Sequence, residues 1–377
     1  MLFTINSPLI EKLEKKYVNL VLKDGWLSSN GEHTKIFENK ISKYLNVKHS
    51  LAVQSGTAAI HLALKSFDCK RGDNVILPNY SCVSNLSAVN QCGANPIIVE
   101  VEKETLGLDI NELSKAIKKF KPKVIQLVHV YGCPAKHTLQ IKKLCKKKKI
   151  FLLEDFSESL GAEINKKKVG AFGDISISSI RSEKMIGVGE GGIVVCNNSK
   201  LFDKIRTLAS RNSPFRKKFD PYWKKYFCLG EGYNYLLPHL LGAVARAQIE
   251  KFEKSILRKK IEIGKNYKKV FETDEIRLAQ KIPKNFKCVH WLNSIYFKKR
   301  NANYVRKIGN LLEKNGVEVR SGFWPLNKLK NFKSKYVGSE KVSEIIFNKI
   351  IVLPSNLNIK YRDILFFKKI IESKLIN

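Results

Sequence analysis

This chain has no apolar run approaching the length of a membrane span, and it is short of acid: 34 Asp and Glu stand against 69 Lys and Arg, a formal charge of +35 over 377 residues. The first absence removes the helical transmembrane classes. The stretch from Met1 to Pro8 also lacks the basic start and apolar centre of a secretory signal, so a soluble, cytoplasmic protein is expected. The cysteines at 69, 82, 92, 133, 145, 196, 228 and 288 show no Cys-x2-Cys spacing and no clustering with histidine. Zinc and disulfide scaffolds are thereby excluded; reduced thiols and no metal are expected. The basic excess is spread through runs such as Lys146 to Lys149, Lys166 to Lys168 and Lys118 to Lys121, with no helix-turn-helix, zinc-finger or ribonucleoprotein motif beside them. Such charge favours anionic ligands and a nonspecific hold on polynucleotides at low salt, but not specific nucleic-acid recognition. A basic nucleic-acid or surface-binding protein without catalysis is the reading of another class.

What is present is a chain that can bury a large core, with 44% hydrophobic residues and neither a repeat nor a low-complexity linker. Apolar runs near 74–77, 96–101, 124–129 and 150–154 alternate with helical patterns near 109–120 and 137–147. This alternation predicts an α/β fold with a mainly parallel sheet covered on both faces. Two more strands are predicted at 175–179 and 192–196. The aromatic, basic stretch 212–232 reads as a long functional loop, and the pattern from 240 to 273 as a long helix leading to a small C-terminal α+β domain. The expected division is 1–250 and 251–377.

Between the two predicted strands at 175–179 and 192–196 lies Lys184, followed by the turn Gly189-Glu-Gly-Gly192. A lysine held at the mouth of a sheet loses its proton more readily through desolvation, and a neutral amine forms a Schiff base with an aldehyde cofactor. Ser55, Gly56 and Thr57 open a segment rich in helix formers, where free N–H groups suit a phosphate; the same residues suit an ordinary helix cap. Asp155 ends an apolar strand, placed either to pair with a protonated ring nitrogen or to cap the next helix. Glu158, three residues on, faces the same site across a turn or sits solvated in a first helical turn.

As an ordered set, Gly25 to Ser29, Phe37-Glu38, Ser55-Gly-Thr57, Val128 to Gly132, Glu154-Asp155-x2-Glu158, Ser179-x4-Lys184-x4-Gly189, Gly232-Tyr-Asn-Tyr235, Trp291 to Ser294 and Val352-Leu-Pro354 resemble the DegT/DnrJ/EryC1/StrS sugar aminotransferases, nearest to their perosamine-synthase branch. The resemblance implies the aspartate aminotransferase-like fold (fold type I), pyridoxal 5'-phosphate, and a Schiff-base lysine at Lys184. It further implies that Asp155 meets the ring nitrogen, Glu158 the hydroxyl side of the ring, and Gly56, Thr57 and Ser179 the phosphate. Asn234 would reach the phosphate of a neighbouring subunit, which makes a homodimer the working unit. L-glutamate is the implied donor and a phosphorylated keto-carbohydrate the acceptor, most simply a nucleotide-linked 4-keto-6-deoxy sugar for surface polysaccharide.

Several positions depart from that pattern. Cys82 stands where relatives put an aromatic against the ring, Leu236 replaces an arginine, Arg181 precedes the lysine, and Arg320 to Asn327 rewrites an aromatic run. Arg181 or Arg320 would clamp a phosphate or carboxylate, unless each is only a surface ion pair. Trp26 and the pair Ser28 and Ser29 would line the entrance, unless the tryptophan is core. The departures keep open the same chemistry on a small keto phosphate such as dihydroxyacetone phosphate. A dehydratase on the same scaffold would replace the lysine by histidine, and Lys184 opposes it.

Overall fold

The computed structural model describes residues 2–213 and 221–373. In chain order the strands are β1 (His49–Val53), β2 (Asn74–Pro78), β3 (Asn95–Val99), β4 (Val124–Val128), β5 (Phe151–Asp155), β6 (Glu163–Ile164), β7 (Lys167–Lys168), β8 (Ile175–Ser179), β9 (Gly192–Cys196), β10 (Ile276–Leu278), β11 (Phe286–Lys287), β12 (Asn293–Phe297), β13 (Lys335–Val337) and β14 (Ile350–Leu353). The helices used below are α1 (Gly56–Ser66), α2 (Val83–Gln91), α3 (Ile110–Phe120), α4 (Thr138–Lys148), α5 (His239–Lys251), α6 (Arg258–Phe271), α7 (Ala302–Lys314) and α8 (Tyr361–Glu372).

Eight strands form the main sheet in the order β1-β9-β8-β5-β4-β2-β3-β13. Neighbours from β13 across to β8 run parallel, whereas β9 is antiparallel to both β8 and β1. Parallel strands must be covered on both faces, and the sequence complies: Val75, Ile76, Leu77, Ile125 and Leu127 are fully buried. Helices α2, α3 and α4 follow β2, β3 and β4 as crossovers, so the mostly parallel architecture expected from the alternating runs is present. Asp109 starts α3 by accepting from the Asn111 and Glu112 amides, which satisfies two of the helix's orphan donors.

The predicted helix from 240 to 273 is a continuous helical run with a flaw. α5 passes through a π-helical turn, Phe252–Leu257, before continuing as α6. Such bulges re-aim the side chains that follow. α6, α7 and α8 pack on a three-stranded sheet β10-β12-β14 around Tyr267, Phe271, Phe297 and Phe367. Strand pairings tie this part back to the rest: β13 extends the main sheet on β3, β11 pairs with β6, and Phe3 bridges Val317. Of the predicted loop 212–232, residues 214–220 lie outside the described residues; in the rest, Tyr222, Trp223 and Tyr226 are exposed. Among the described residues no helix is long and apolar enough to cross a membrane.

Candidate functional site

In an open parallel sheet, the carboxyl ends of neighbouring strands meet one crevice. Here β5 ends on Asp155, β8 ends on Ser179, and α1 begins at Gly56, all around a cavity of ≈ 250 Å³. Gly56, Thr57, Cys82, Asp155, Glu158, Ser179, Arg181 and Lys184 all line it, so most of the sequence candidates converge on one space.

Lys184 comes from the loop joining β8 to β9. That loop is zipped by backbone bonds from Ile180 to Gly191 (2.9 Å), Ser182 to Gly189 (2.8 Å) and Val188 to Ile180 (3.0 Å), with Gly189 at φ +105, a conformation only glycine adopts without strain. The Lys184 amine donates to Glu158 Oε1 at 3.2 Å and stands 3.8 Å from the centre of the Trp291 ring. Glu158 Oε2 accepts from the Tyr131 amide at 2.9 Å. Burial pushes Glu158 up, with the Asp155 charge adding to it, against the pull of Lys184.

Asp155 is buried and braced at both oxygens, by Asn85 Nδ2 at 3.2 Å and by the Ser157 amide at 3.0 Å. Behind it, His129 accepts from the Ala135 amide through Nδ1 (2.9 Å), so its Nε2 carries the proton donated to Glu154 (3.1 Å). Glu154 also accepts from the amides of Gly170, Phe172 and Gly173. Burial alone would raise it; these bonds hold it below the ordinary carboxylate value.

The other end of the cavity is suited to an anion. The Gly56 and Thr57 amides precede the first intrahelical donor of α1, and Ser55 caps the helix through Ala58 N at 3.0 Å. A Cβ on Gly56 would lie 2.9 Å from Ser179 Cβ, so glycine lets the helix tip meet the strand end. Ser179 itself is held by its amide to Ser157 Oγ at 2.8 Å. Asn85 Oδ1 is buried with no hydrogen-bond partner among the described residues. A lysine amine, a braced buried carboxylate and a helix tip free to bind phosphate are the groups pyridoxal phosphate requires, and the residues fit it.

Trp26, Ser29, Asn234 and Arg320 lie apart from this cavity. Trp26 is exposed and donates to Ser29 O (3.1 Å), in a segment whose carbonyls meet His239 at the start of α5. Asn234 is exposed on a bridge to Ser210. Arg320 sits outside, 3.0 Å from Glu183 and 3.5 Å from Glu318. Arg181, at the mouth, is drawn to Glu190 (3.2 Å) and Glu183 (3.7 Å). Burial would raise Glu183, but Arg320 above all pulls it below its ordinary value. Leu236 pairs with Val53 as a bridge, and the Asn327 amide bonds Asn79 Oδ1 at 3.0 Å, neither in the cavity.

Sequence reasoning did not single out Asn85, Ser157, Glu183 or the role of Trp291. Ser157 had a signal, since it lies between two acids at a strand end; the others act from distant segments without a local one.

Residues 8–369 match the DegT/DnrJ/EryC1/StrS aminotransferase family. The chain is 32% identical over 325 residues to a GDP-perosamine synthase of Vibrio cholerae, covering 86% of each. It is 32% identical over 332 residues to the GDP-perosamine synthase of Escherichia coli O157:H7, covering 88% of this chain and 87% of that one. The fold superposes on the aminotransferase TlmJ of Streptoalloteichus hindustanus with TM-score 0.91 and 20% identity, over 100% of this chain and 99% of that one. With the lysine loop, strand-end acids and helix tip in the order the motifs require, the chain belongs to the DegT/DnrJ/EryC1/StrS family and is a pyridoxal-phosphate-dependent aminotransferase.

Proposed function

We propose that this aminotransferase moves nitrogen from L-glutamate to the ketone of a nucleotide-linked 4-keto-6-deoxy sugar, for a surface polysaccharide. The likeness to GDP-perosamine synthases over most of both chains carries the reading. In it, residues 1–250 hold the cofactor and 251–377 close the substrate side.

The bound cofactor supplies an aldehyde carbon that carries the amino group and a ring that takes up electrons. Gly56, Thr57 and Ser179 would hold its phosphate. Asp155, held by two hydrogen bonds, would steady positive charge on the ring nitrogen. Lys184 Nζ takes the proton from the donor's α-carbon and, in the second half, returns a proton to the carbon being aminated. Glu158 orients that amine from 3.2 Å and the Trp291 ring shields it from water. Because Asn234 is exposed and away from its own cavity, it supports a homodimer in which each copy completes the other's phosphate site.

A small keto phosphate is the second reading, favoured by Arg181 within the cavity lining. The test is a panel of acceptors with glutamate, following 2-oxoglutarate. Turnover with nucleotide-linked keto sugars is expected; turnover with dihydroxyacetone phosphate alone would replace the first reading by the second.

A further inference from the structure

Lys260, on α6, is 1% exposed and has no carboxylate partner among the described residues. An ammonium without a counter-ion is costly to bury, and this one is compensated by three oxygens. Its Nζ donates to Asn6 Oδ1 at 2.9 Å, to Trp291 O at 3.0 Å and to Ser355 O at 2.6 Å. The three acceptors come from three remote segments and match the three N–H donors of the charged form; a neutral amine would leave one oxygen facing a lone pair.

Two of those partners converge on one atom. Asn6 Nδ2 donates to Glu183 O at 2.5 Å, and Trp291 Nε1 donates to the same oxygen at 2.6 Å. Glu183 O is the carbonyl of the peptide bond entering Lys184. Trp291 also stacks its ring against the Lys184 amine. A single buried amine therefore holds the Asn6 side chain and the Trp291 backbone, the two residues whose side chains grip the carbonyl entering Lys184, and Trp291 is one of the two groups that the Lys184 Nζ meets.

We propose that Lys260 is a positioning residue for Lys184: its ammonium holds Asn6 and Trp291 in the orientation that locks the Glu183–Lys184 peptide and so aims the Lys184 amine into the cavity. The inference rests on Lys184 being the lysine that takes the cofactor. A role confined to stability is a poor account of Lys260, because burial pulls its amine down to about 7 and the charged form then burdens the fold. Methionine fills similar volume without a charge and should keep the fold at least as stable.

The experiment compares parent and Lys260→Met holoenzymes. In the variant, the pH midpoint of the bound cofactor's absorption band is expected to shift, and kcat for the glutamate half-reaction to fall roughly 10- to 100-fold with KM changed less than about three-fold. A variant with the parent's midpoint and kcat would overturn the proposal. Asn6→Ala, a change in a partly exposed segment, removes one arm of the clamp and should shift the midpoint in the same direction by less; an unchanged midpoint there overturns the proposal even if Lys260→Met does not fold. Borohydride reduction of the parent separates the two levels: label on a lysine other than Lys184 overturns the functional reading and this inference together, while label on Lys184 beside an unaltered Lys260→Met overturns this inference alone.

Discussion

On the wall of the cavity, the Lys184 and Glu158 side chains are 11% and 6% exposed and each is bound to a neighbour. At the mouth, Arg181 and Arg320 are 58% and 45% exposed and reach their carboxylates through water-washed contacts. Charges on the wall act at low dielectric, where a misplaced or missing group is expensive. Pairs at the mouth are screened, and an exposed ion pair contributes at most about 1 kcal/mol. In the proposed function, the chemistry is built where substitution is least tolerated, and acceptor choice where it is tolerated best.

The largest effects are expected at the wall. Lys184→Ala should lose turnover by about 10³-fold or more, since proton shuttle and covalent attachment go together; amino exchange at the parental rate would remove Lys184 from the chemistry. Asp155→Asn should slow deprotonation of the donor on the order of 10²-fold in single-turnover measurements and alter donor binding far less, because a neutral ring nitrogen stabilises the transition state poorly. Equal single-turnover rates would contradict it.

At the mouth the effects shrink. With a nucleotide-linked acceptor anchored at many points, Arg181→Ala should cost kcat/KM less than about five-fold; with a small keto phosphate the loss is on the order of 2 kcal/mol, roughly 30-fold. A further change concerns stability rather than turnover. The Lys260 amine is at about 7 in the fold against its ordinary 10.5, so between those values the unfolded chain binds more protons and this group adds stability as pH rises. Lys260→Met lacks that increment. Its stability relative to the parent should therefore be on the order of 2 kcal/mol more favourable at pH 6 than at pH 9, in denaturant titrations at both values. A pH-independent difference would refute the assignment of that shift to Lys260.

The same contrast governs what could be read without coordinates. Lys184, Asp155 and Ser179 announce themselves locally, because an apolar run followed by glycine or acid marks a strand end. The parallel sheet was legible for the same reason. β13 was not: Lys335 to Val337 carries no alternating run and exists as a strand only because β3 offers an edge. Nor was the clamp on Lys184, since Asn6, Lys260, Trp291 and Ser355 are separated by long stretches of chain and only packing brings them together. The π turn after α5 likewise leaves no mark on the apolar period. Trp26, Ser29 and Asn234 lie outside the lining of this cavity, and the role expected of Asn234 depends on a second copy of the chain.

Of the many lysines, Lys184 alone is proposed to carry the cofactor. Reduction of the holoenzyme with borohydride fixes the cofactor to its lysine, and peptide mapping by mass spectrometry then locates it. The mass of the reduced cofactor is expected on the peptide containing Lys184 and is expected to disappear in Lys184→Ala; label on another lysine, or label that persists in the variant, would contradict the assignment.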